Sequence, residues 1–279
     1  MIGLLKRGLP YAFKNLRVGA ADTHAAVGYL FAMPTAALPP HPDLPHYDRD
    51  AGRKRQFLRD LFDDTAADYD RVETAMALGS GRWYRRQALK RAGLGEGQAV
   101  CDVAVGTGLV AREALRLVGP NGSVLGVDPS AGMLDRARAA LGINAVMGVA
   151  EQLPLADASF DFVSMGYALR HVGDLRSAFG EFARVLKPGG RVCVLEIARP
   201  DGRVGRGLMA AYFRGVLPVL SRIAGRRRQT QSLWRYYWDT IEQCVPGTVI
   251  MDAMRDSGFV DVKRRTELGM FAEYTGAKA

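Results

Sequence analysis

The stretch VCDVAVGTGLVAREA, residues 100–114, decides the fold of this chain. A short apolar run ends at Asp102, the chain turns through Gly106-Thr107-Gly108, and a helical pattern follows. A glycine turn between a strand and a helix lets the backbone approach a ligand, and the helix N-terminus carries partial positive charge. We therefore expect a nucleotide-like cofactor at this turn.

Strand-like and helical segments alternate after this turn. The apolar runs AVCDVAV, SVLGVD, NAVMGVA and FDFVSMGYA are separated by helical patterns such as GLVAREALRLVG and SAGMLDRARAALG. The C-terminal residues read as a helix and two further strands. Such alternation predicts an α/β, Rossmann-like fold: a mostly parallel, seven-stranded sheet with helices on both faces.

The chain divides into two predicted regions. Residues 1–47 form an N-terminal extension that ends in the proline-rich stretch PTAALPPHPDLPHYD. Residues 48–279 form the main domain, and a helical series opens it. Residues 202–247 interrupt the alternation after the fifth strand, which predicts a helical insertion that serves as a lid over the substrate or faces a membrane.

Positive charge is concentrated in two segments of this chain, whose formal net charge is +9. Residues 1–21 contain four basic residues and residues 202–238 contain eight arginines, both without an acid. Such segregation suggests a nearby anionic surface, either lipid headgroups or nucleic acid; the alternative is ordinary solvated charge. We predict peripheral membrane association through the insertion, with the apolar residues Leu208, Met209, Tyr212, Phe213, Val216, Leu217 and Leu220.

Cysteine usage and hydropathy bear on localisation. The three cysteines suggest a reducing compartment without a disulfide framework. The start MIGLLKRGLPYAF lacks the apolar core of a secretory signal, and no apolar run is long enough to span a bilayer. We expect a cytoplasmic protein, with peripheral attachment to the inner face of a membrane as an option, and we predict no metal site.

Two carboxylates narrow the choice of cofactor. Asp128 closes the second strand, where it can accept hydrogen bonds from ribose hydroxyls. A dinucleotide also fits, because Gly106-x-Gly108-x-x-Ala111 matches the permissive fingerprint. Asp102 distinguishes between the two kinds of cofactor, since its charge suits a cationic amino group and repels a pyrophosphate. A zwitterionic, nucleoside-bearing ligand therefore fits the loop better than a dinucleotide does.

Later segments resemble a known family. AEQLPLADASFD (150–161) and EFARVLKPGGRVCVLE (181–196) are similar to motifs of class I S-adenosylmethionine-dependent methyltransferases. LFDDTAADYD, DPSAGML, YALRHV and RVLKPGGRVCVLEIARP resemble, more narrowly, the ubiquinone/menaquinone biosynthesis C-methyltransferase family, roughly over residues 57–279. The resemblance implies the class I methyltransferase fold, S-adenosylmethionine as cofactor, and methylation of a ring carbon of a polyprenylated hydroquinone.

The resemblance also implies roles for individual residues. The expected cofactor contacts are Asp102, Gly106 and Gly108 at the methionine part, Asp128 at the ribose, Met133 at the adenine, Ala150 and Glu151 beside the base, and Tyr69 closing over the cofactor. This chain departs from the family pattern at Glu73, Gly81, Val149 and His171. Three of these departures lie on the acceptor side, and Val149 lies beside the adenine.

The chemistry of methyl transfer points to candidate catalytic residues. Transfer from a sulfonium is an in-line displacement, so the acceptor must be aligned and electron-rich. A hydroquinone carbon becomes nucleophilic when a base removes a phenolic proton or a cation stabilises the phenolate. His171 and Glu73 are the candidate bases, and Arg170 is the candidate for oxyanion stabilisation. The alternatives are a capping or surface histidine, a solvated glutamate and a structural arginine.

Aromatic residues cluster in the insertion. They are Tyr212, Phe213, Trp234, Tyr236, Tyr237 and Trp238. These residues can line a pocket for an aromatic head group or an apolar chain, or they can form the core of the inserted helices. The leading function is methyl transfer to a lipophilic quinol or related aromatic acceptor.

Other classes of function stay open on the sequence. They are a soluble small-molecule O- or N-methyltransferase, a nucleic-acid binding protein, and a cofactor-binding protein without catalysis. We expect no nucleic-acid partner, because the chain lacks a recognition module. An oligomer is compatible with the sequence.

Overall fold

A computed structural model describes residues 37–42, 44, 56, 60, 80–200, 202–217 and 228–279, with the backbone alone for 228–235. The strands are β1 (Ala99–Val103), β2 (Ser123–Asp128), β3 (Asn144–Met147), β4 (Phe160–Gly166), β5 (Leu186–Ile197), β6 (Phe259–Glu267) and β7 (Phe271–Lys278). They form one sheet in the order β3-β2-β1-β4-β5-β7-β6. Only β7 runs antiparallel to its neighbours. The predicted Rossmann-like α/β fold is confirmed.

Helices connect the strands. They are α1 (Gly81–Arg91), α2 (Leu109–Val118), α3 (Ala131–Leu141), a 3-10 turn (Leu169–His171), α4 (Leu175–Val185), α5 (Arg203–Ala211), a π-helical turn (Tyr212–Val216), α6 (Arg228–Gln243) and α7 (Gly247–Asp256). The segment from α5 to α6 lies between β5 and α7, so the described part of the predicted insertion is helical.

The sheet is covered on both faces. Val100 of β1 packs with residues of α1, α2 and α3 on one face, while Cys101 and Val103 pack with α4 and α7 on the other. Successive strand residues point to opposite faces, so a strand covered on both sides is apolar at most consecutive positions. This explains why the strand runs in the sequence are apolar without alternation.

The insertion builds a third core at the end of β5. Met209, Phe213 and Leu217 recur every four residues and pack with aromatic residues of α6. The prediction that these three face a membrane is therefore wrong, because an amphipathic helix buries one apolar side. Of the other predicted residues, Leu208 and Val216 are exposed, whereas Leu220 lies outside the described residues.

Part of the predicted N-terminal extension is bound to the main domain. The amide of Leu38 donates to Asp174 Oδ1 (2.7 Å), and the Leu38 carbonyl accepts from the amide of Leu175 (2.9 Å). The carbonyl of Pro40 accepts from the amide of Val245 (2.8 Å). Position 47, where we predict the boundary, lies outside the described residues, so that boundary stays a prediction.

Candidate active site

The glycine loop joins β1 to α2 at the carboxyl edge of the sheet. Ala104, Gly106 and Gly108 all have positive φ, at 54°, 55° and 90°. A Cβ on Gly108 would lie 2.5 Å from Leu141 Cδ1, so the leucine side chain would have to move, and the φ of 90° is itself unfavourable for any residue other than glycine. A Cβ on Gly106 would meet no described atom within 4 Å, which leaves open space above the loop.

Asp102 lies beneath this loop on β1 and is almost completely buried. Its Oδ1 accepts a hydrogen bond from Ser164 Oγ (2.6 Å), and its Oδ2 has no hydrogen bond of normal geometry within the described residues. Burial raises the pKa of Asp102 to about 7, against the opposing effect of the Ser164 hydrogen bond. A cation bound beside it would favour the ionised form.

Asp128 anchors the loop from the end of β2. Its Oδ2 accepts from the amide of Gly106 (2.9 Å), and its Oδ1 accepts from the amide of Ser130 (2.9 Å). Ser130 in turn caps α3, because its Oγ accepts from the amide of Met133 (3.1 Å). The carboxylate, the loop and the buried Met133 side chain are thus held in one fixed arrangement.

The segment after β3 continues this edge of the sheet. Val149 and Gln152 form an isolated antiparallel bridge that encloses Ala150 and Glu151 in a tight turn. Ala150 is buried, whereas Glu151 is partly exposed and accepts a hydrogen bond from the amide of Gly173. The cofactor residues predicted from β1 to β3 therefore lie at strand ends or in the segments that directly follow them, along one edge.

Arg170 lies after β4 in the 3-10 turn, 2% exposed. Its guanidinium pairs with Glu196 of β5 and donates to the carbonyl of Tyr167 (2.8 Å). It also lies 4.8 Å from the ring centre of Tyr237. Tyr167 has φ of 60°, an unfavourable conformation for a non-glycine residue that often marks a functional site.

His171 follows Arg170 but faces a different environment. Its Nδ1 is 2.8 Å from the hydroxyl of Tyr236, and the two rings stack with centres 5.3 Å apart. The ring of Tyr237 is also nearby, at 6.3 Å. The side chain is half-buried, so His171 is not the solvated surface histidine that the sequence left open as an alternative.

An aromatic cavity of about 310 Å³ opens beside these residues. Half of its lining residues are aromatic, namely Trp83, Tyr84, Tyr167, Tyr212, Phe213, Tyr237 and Phe271; the others are Ser80, Gly81, Arg170, Ile197, Glu267, Leu268 and Met270. Its size is at the lower end of the range for small-molecule sites. Among the described residues, its lining therefore includes Arg170 but not His171.

The predicted aromatic cluster serves both of the purposes that we considered. Tyr212, Phe213 and Tyr237 line the cavity, while Tyr236 and Trp238 pack in the insertion core. The side chain of Trp234 and the predicted site residues Tyr69 and Glu73 lie outside the described residues.

The sequence reasoning missed three groups at the site. Tyr84 and the β6–β7 turn left no local signal, because only tertiary packing brings them to the cavity. Glu196, the partner of Arg170, is a single acid in the apolar run VCVLEIA of β5. A lone carboxylate in a buried strand requires a partner, so the sequence alone could have predicted that Glu196 is paired with a cation.

Comparison with solved structures gives the class of protein. A S-adenosylmethionine-dependent methyltransferase from Thermotoga maritima matches with a TM-score of 0.57 and 24% sequence identity, over 80% of this chain and 100% of that one. The sheet order and the glycine loop after β1 agree with this fold. The chain thus has the class I S-adenosylmethionine-dependent methyltransferase fold.

Comparison with characterised sequences gives the family. Residues 50–278 match the model of the ubiE/COQ5 methyltransferase family. The ubiquinone/menaquinone biosynthesis C-methyltransferase UbiE of Hahella chejuensis is 33% identical over 81% of this chain and 93% of its own length. The demethylmenaquinone methyltransferase of Symbiobacterium thermophilum is also 33% identical, over 81% and 94%. This chain belongs to the ubiE/COQ5 family and is a S-adenosylmethionine-dependent methyltransferase, as the resemblance implied.

Proposed function

We propose that this enzyme methylates a ring carbon of a lipophilic quinol at a membrane face. The observation that carries the proposal is the aromatic cavity with Arg170 in its wall, on the same sheet edge as the glycine loop. Aromatic walls accept a planar ring, and the guanidinium matches an oxygen substituent on it. The names of the two relatives, a quinone-biosynthesis C-methyltransferase and a demethylmenaquinone methyltransferase, support the same acceptor class.

The cofactor half of the site fits S-adenosylmethionine. The carboxylate of Asp102 suits the amino group of its methionine part, and the open space above Gly106 lets the cofactor lie close to the backbone of the loop. We assign Gly108 to the same part, Asp128 to the ribose, Met133 to the adenine, and Ala150 with Glu151 to the rim of the base, with Tyr69 as the closing residue. When bound, the cofactor supplies an electrophilic methyl group on a sulfonium.

Arg170 is our candidate for stabilising the acceptor's oxyanion. Its ion pair with Glu196 and its hydrogen bond to Tyr167 hold the guanidinium in one orientation toward the cavity. Fixed charge of this kind needs no reorganisation when negative charge develops on the ring oxygen. His171, held by Tyr236 beside Arg170 but outside the cavity lining, stays our candidate base for a ring that reaches it, with Glu73 as the alternative.

The mouth of the cavity supports an acceptor with an apolar tail. Leu268 and Trp83 belong to the lining and yet are 87% and 66% exposed. On the insertion, Val204, Leu208 and Val216 form an exposed stripe next to the buried one. Arg203 and Arg206 lie exposed beside this stripe, which suits anionic lipid headgroups.

No helix in the part of the chain that the structure describes is long and apolar enough to cross a membrane. The proposed contact is therefore one of surface attachment. We propose a cytoplasmic location, with the insertion against the inner face of a membrane. The exposed stripe would insert at the headgroup level while the arginines bind lipid phosphates.

An acceptor assay tests the proposed function. The purified enzyme is incubated anaerobically with labelled S-adenosylmethionine and three acceptors: a polyprenyl naphthoquinol, a polyprenyl benzoquinol and tail-free 1,4-dihydroxynaphthalene. We expect a C-methylated product from a polyprenyl quinol, identified by NMR, and much less product from the Asp128→Ala variant when the cofactor is limiting. An O-methylated product, or a preference for tail-free phenols and amines, would support the soluble small-molecule methyltransferase instead.

Sedimentation with vesicles tests the membrane contact. We expect binding to vesicles with anionic lipid, weaker binding at high salt, and residual binding because the apolar stripe also inserts. Leu208→Ser should reduce this residual binding, whereas Val260→Ser, which changes an exposed valine on β6, should not. An enzyme that stays in the supernatant with every vesicle and salt concentration would exclude the membrane contact.

A further inference from the structure

A short segment ahead of the family match is bound to two elements of the acceptor site. We call residues 37–42 the strap; they lie before residue 50, where the match begins, and form one compact unit with the rest of the chain up to residue 279. Pro40 and His41 are buried, and the partly buried Leu38 packs against the main core. Three of the six strap residues are proline, whose φ is fixed, so the strap loses little conformational freedom when it binds.

The first attachment of the strap is to the stretch that follows Arg170. The Leu38 amide donates to Asp174 Oδ1 (2.7 Å), and the Leu38 carbonyl accepts from the amide of Leu175 (2.9 Å). Asp174 caps α4, since its Oδ2 accepts from the amide of Ser177 (3.2 Å). The first amides of a helix have no partner within the helix, so Leu38 supplies an acceptor that the first turn of α4 needs. The backbone of the strap therefore holds the chain between the 3-10 turn and α4.

The second attachment is at the end of the insertion. The carbonyl of Pro40 accepts from the amide of Val245 (2.8 Å), which lies between α6 and α7. Helix α6 carries Tyr237, whose ring centre lies 4.8 Å from the guanidinium carbon of Arg170. The strap thus binds the chain just after Arg170 and again just after the helix of its aromatic partner, and it connects the two sides of this contact.

We propose that the strap positions the acceptor half of the active site by holding the turn of Arg170 against α6. No strap residue belongs to the cavity lining, so the strap acts through the side chains that it aligns and not through contact with the acceptor. Stabilisation by a fixed charge depends on alignment, and a displacement of about 1 Å can reduce a rate up to about 100-fold. This inference rests on the proposed role of Arg170, and it extends the active site to residues outside the family match.

Removal of one backbone donor tests the role of the strap. Leu38→Pro takes away the amide that donates to Asp174 and keeps an apolar residue at that position. We expect turnover of the methyl acceptor to fall about 10-fold, while the affinity for S-adenosylhomocysteine, measured by calorimetry, changes less than twofold. Hydrogen exchange, which needs no acceptor, should become faster in residues 169–176 of the variant, because the start of α4 is released.

Two control variants separate the hydrogen bond from other effects of substitution. Ala37→Pro makes the same change at the preceding exposed residue, whose amide has no hydrogen bond in the part of the chain that the structure describes, and should behave like the wild type. Leu38→Ala keeps both backbone hydrogen bonds and loses the packing of the side chain on the core. It should lower the melting temperature and keep turnover within about twofold of the wild type.

Three results would overturn the inference. The first is equal turnover in Leu38→Pro and Ala37→Pro, and the second is a loss of turnover matched by an equal loss of cofactor affinity. The third is a Leu38→Ala variant as slow as Leu38→Pro, because packing and not the hydrogen bond would then be responsible. If the wild type methylates no quinol, the proposed function fails, and the exchange measurement still decides the role of the strap: unchanged exchange of residues 169–176 in Leu38→Pro would exclude it.

Discussion

The two halves of the sheet's carboxyl edge are built in different ways. The half over β1, β2 and β3 uses residues 102–151, a single continuous stretch, and its central carboxylate, Asp128, binds two backbone amides of that stretch. The half over β4, β5 and β7 collects its lining from separate parts of the chain: 80–84, 167–170, 197, 212–213, 237 and 267–271. The first half depends on backbone conformation, and the second on side chains that only the tertiary fold brings together.

This difference suggests a division of labour that mutations can separate. A site made of a backbone loop and two carboxylates suits a cofactor whose polar groups are the same in every reaction. A cavity built from bulky side chains changes shape with each substitution, so it can be adapted to a particular acceptor. Substitutions in the first half should change cofactor affinity, and those in the second should change turnover and acceptor choice.

The largest effect is expected at Arg170. Arg170→Lys keeps a cation beside Glu196 but cannot keep both the hydrogen bond to Tyr167 and the stacking on Tyr237. We expect turnover to fall about 100-fold, comparable to removal of one oxyanion donor, with cofactor affinity changed less than twofold. Steady-state kinetics and calorimetry measure the two quantities. An equal loss of both would show a structural role.

The control for Arg170 addresses the ion pair. Arg170→Ala leaves the carboxylate of Glu196 buried without its cation, which should cost about 3–5 kcal/mol of stability. The double variant Arg170→Met, Glu196→Gln should recover most of this stability, measured by urea unfolding, without recovering turnover. Recovery of turnover in the double variant would contradict the catalytic role.

The contrast between the halves also explains what the sequence could predict. The glycine loop and Asp128 are local features of strand ends, so a nucleoside-bearing cofactor could be predicted from residues close together in the chain, whereas S-adenosylmethionine itself came from the family resemblance of later motifs. Tyr84 and the β6–β7 turn could not be found, because they lie far apart in sequence and meet only through packing. The insertion shows an intermediate case. Helix α5 carries apolar residues that are exposed, Val204 and Leu208, as well as buried Met209, so the pattern predicted a helix but not which apolar residues are buried.

A smaller but clear effect is expected at Asp128. Asp128→Ala removes the acceptor for the amides of Gly106 and Ser130 and the proposed acceptor for the ribose. We expect cofactor affinity to fall about 30- to 100-fold, since hydrogen bonds to a charged group are worth about 1.5–3 kcal/mol each. Asp128→Asn, which keeps one acceptor oxygen, should lose less. Tighter binding of a nicotinamide dinucleotide than of S-adenosylmethionine would contradict the site.

Asp102 should give a pH-dependent effect of about 10-fold on affinity. Its pKa of about 7 lies above the ordinary value of 3.8, so the folded state binds a proton more tightly than the unfolded state. The associated stability is present at low pH and is lost as pH rises toward 7. Cofactor affinity should change in the opposite direction and rise between pH 6 and 7.5, because only the ionised form attracts the amino group.

Asp102→Asn separates these two effects. The neutral amide has no charge to bury, so the variant without cofactor should gain stability relative to the wild type as pH rises from 5 to 8. Its affinity for S-adenosylmethionine should be lower than that of the wild type at pH 7.5 and nearly independent of pH. Thermal unfolding and calorimetry at each pH measure both. A wild-type affinity that is flat across this range would rule out Asp102 as the ammonium partner.

The smallest effect is expected at the cavity mouth, where Leu268 tests whether the acceptor half extends to a lipid tail. Leu268 has φ of 52° and is 87% exposed, so it combines an unfavourable conformation with an apolar side chain in solvent. Leu268→Asn should leave stability unchanged or slightly higher, because asparagine tolerates positive φ better than leucine. Loss of a partial apolar contact should raise the KM for a polyprenyl quinol about threefold and leave that for tail-free 1,4-dihydroxynaphthalene unchanged. Equal changes for both acceptors would mean that the turn contacts the ring and not the tail, and the acceptor half would then end at the cavity itself.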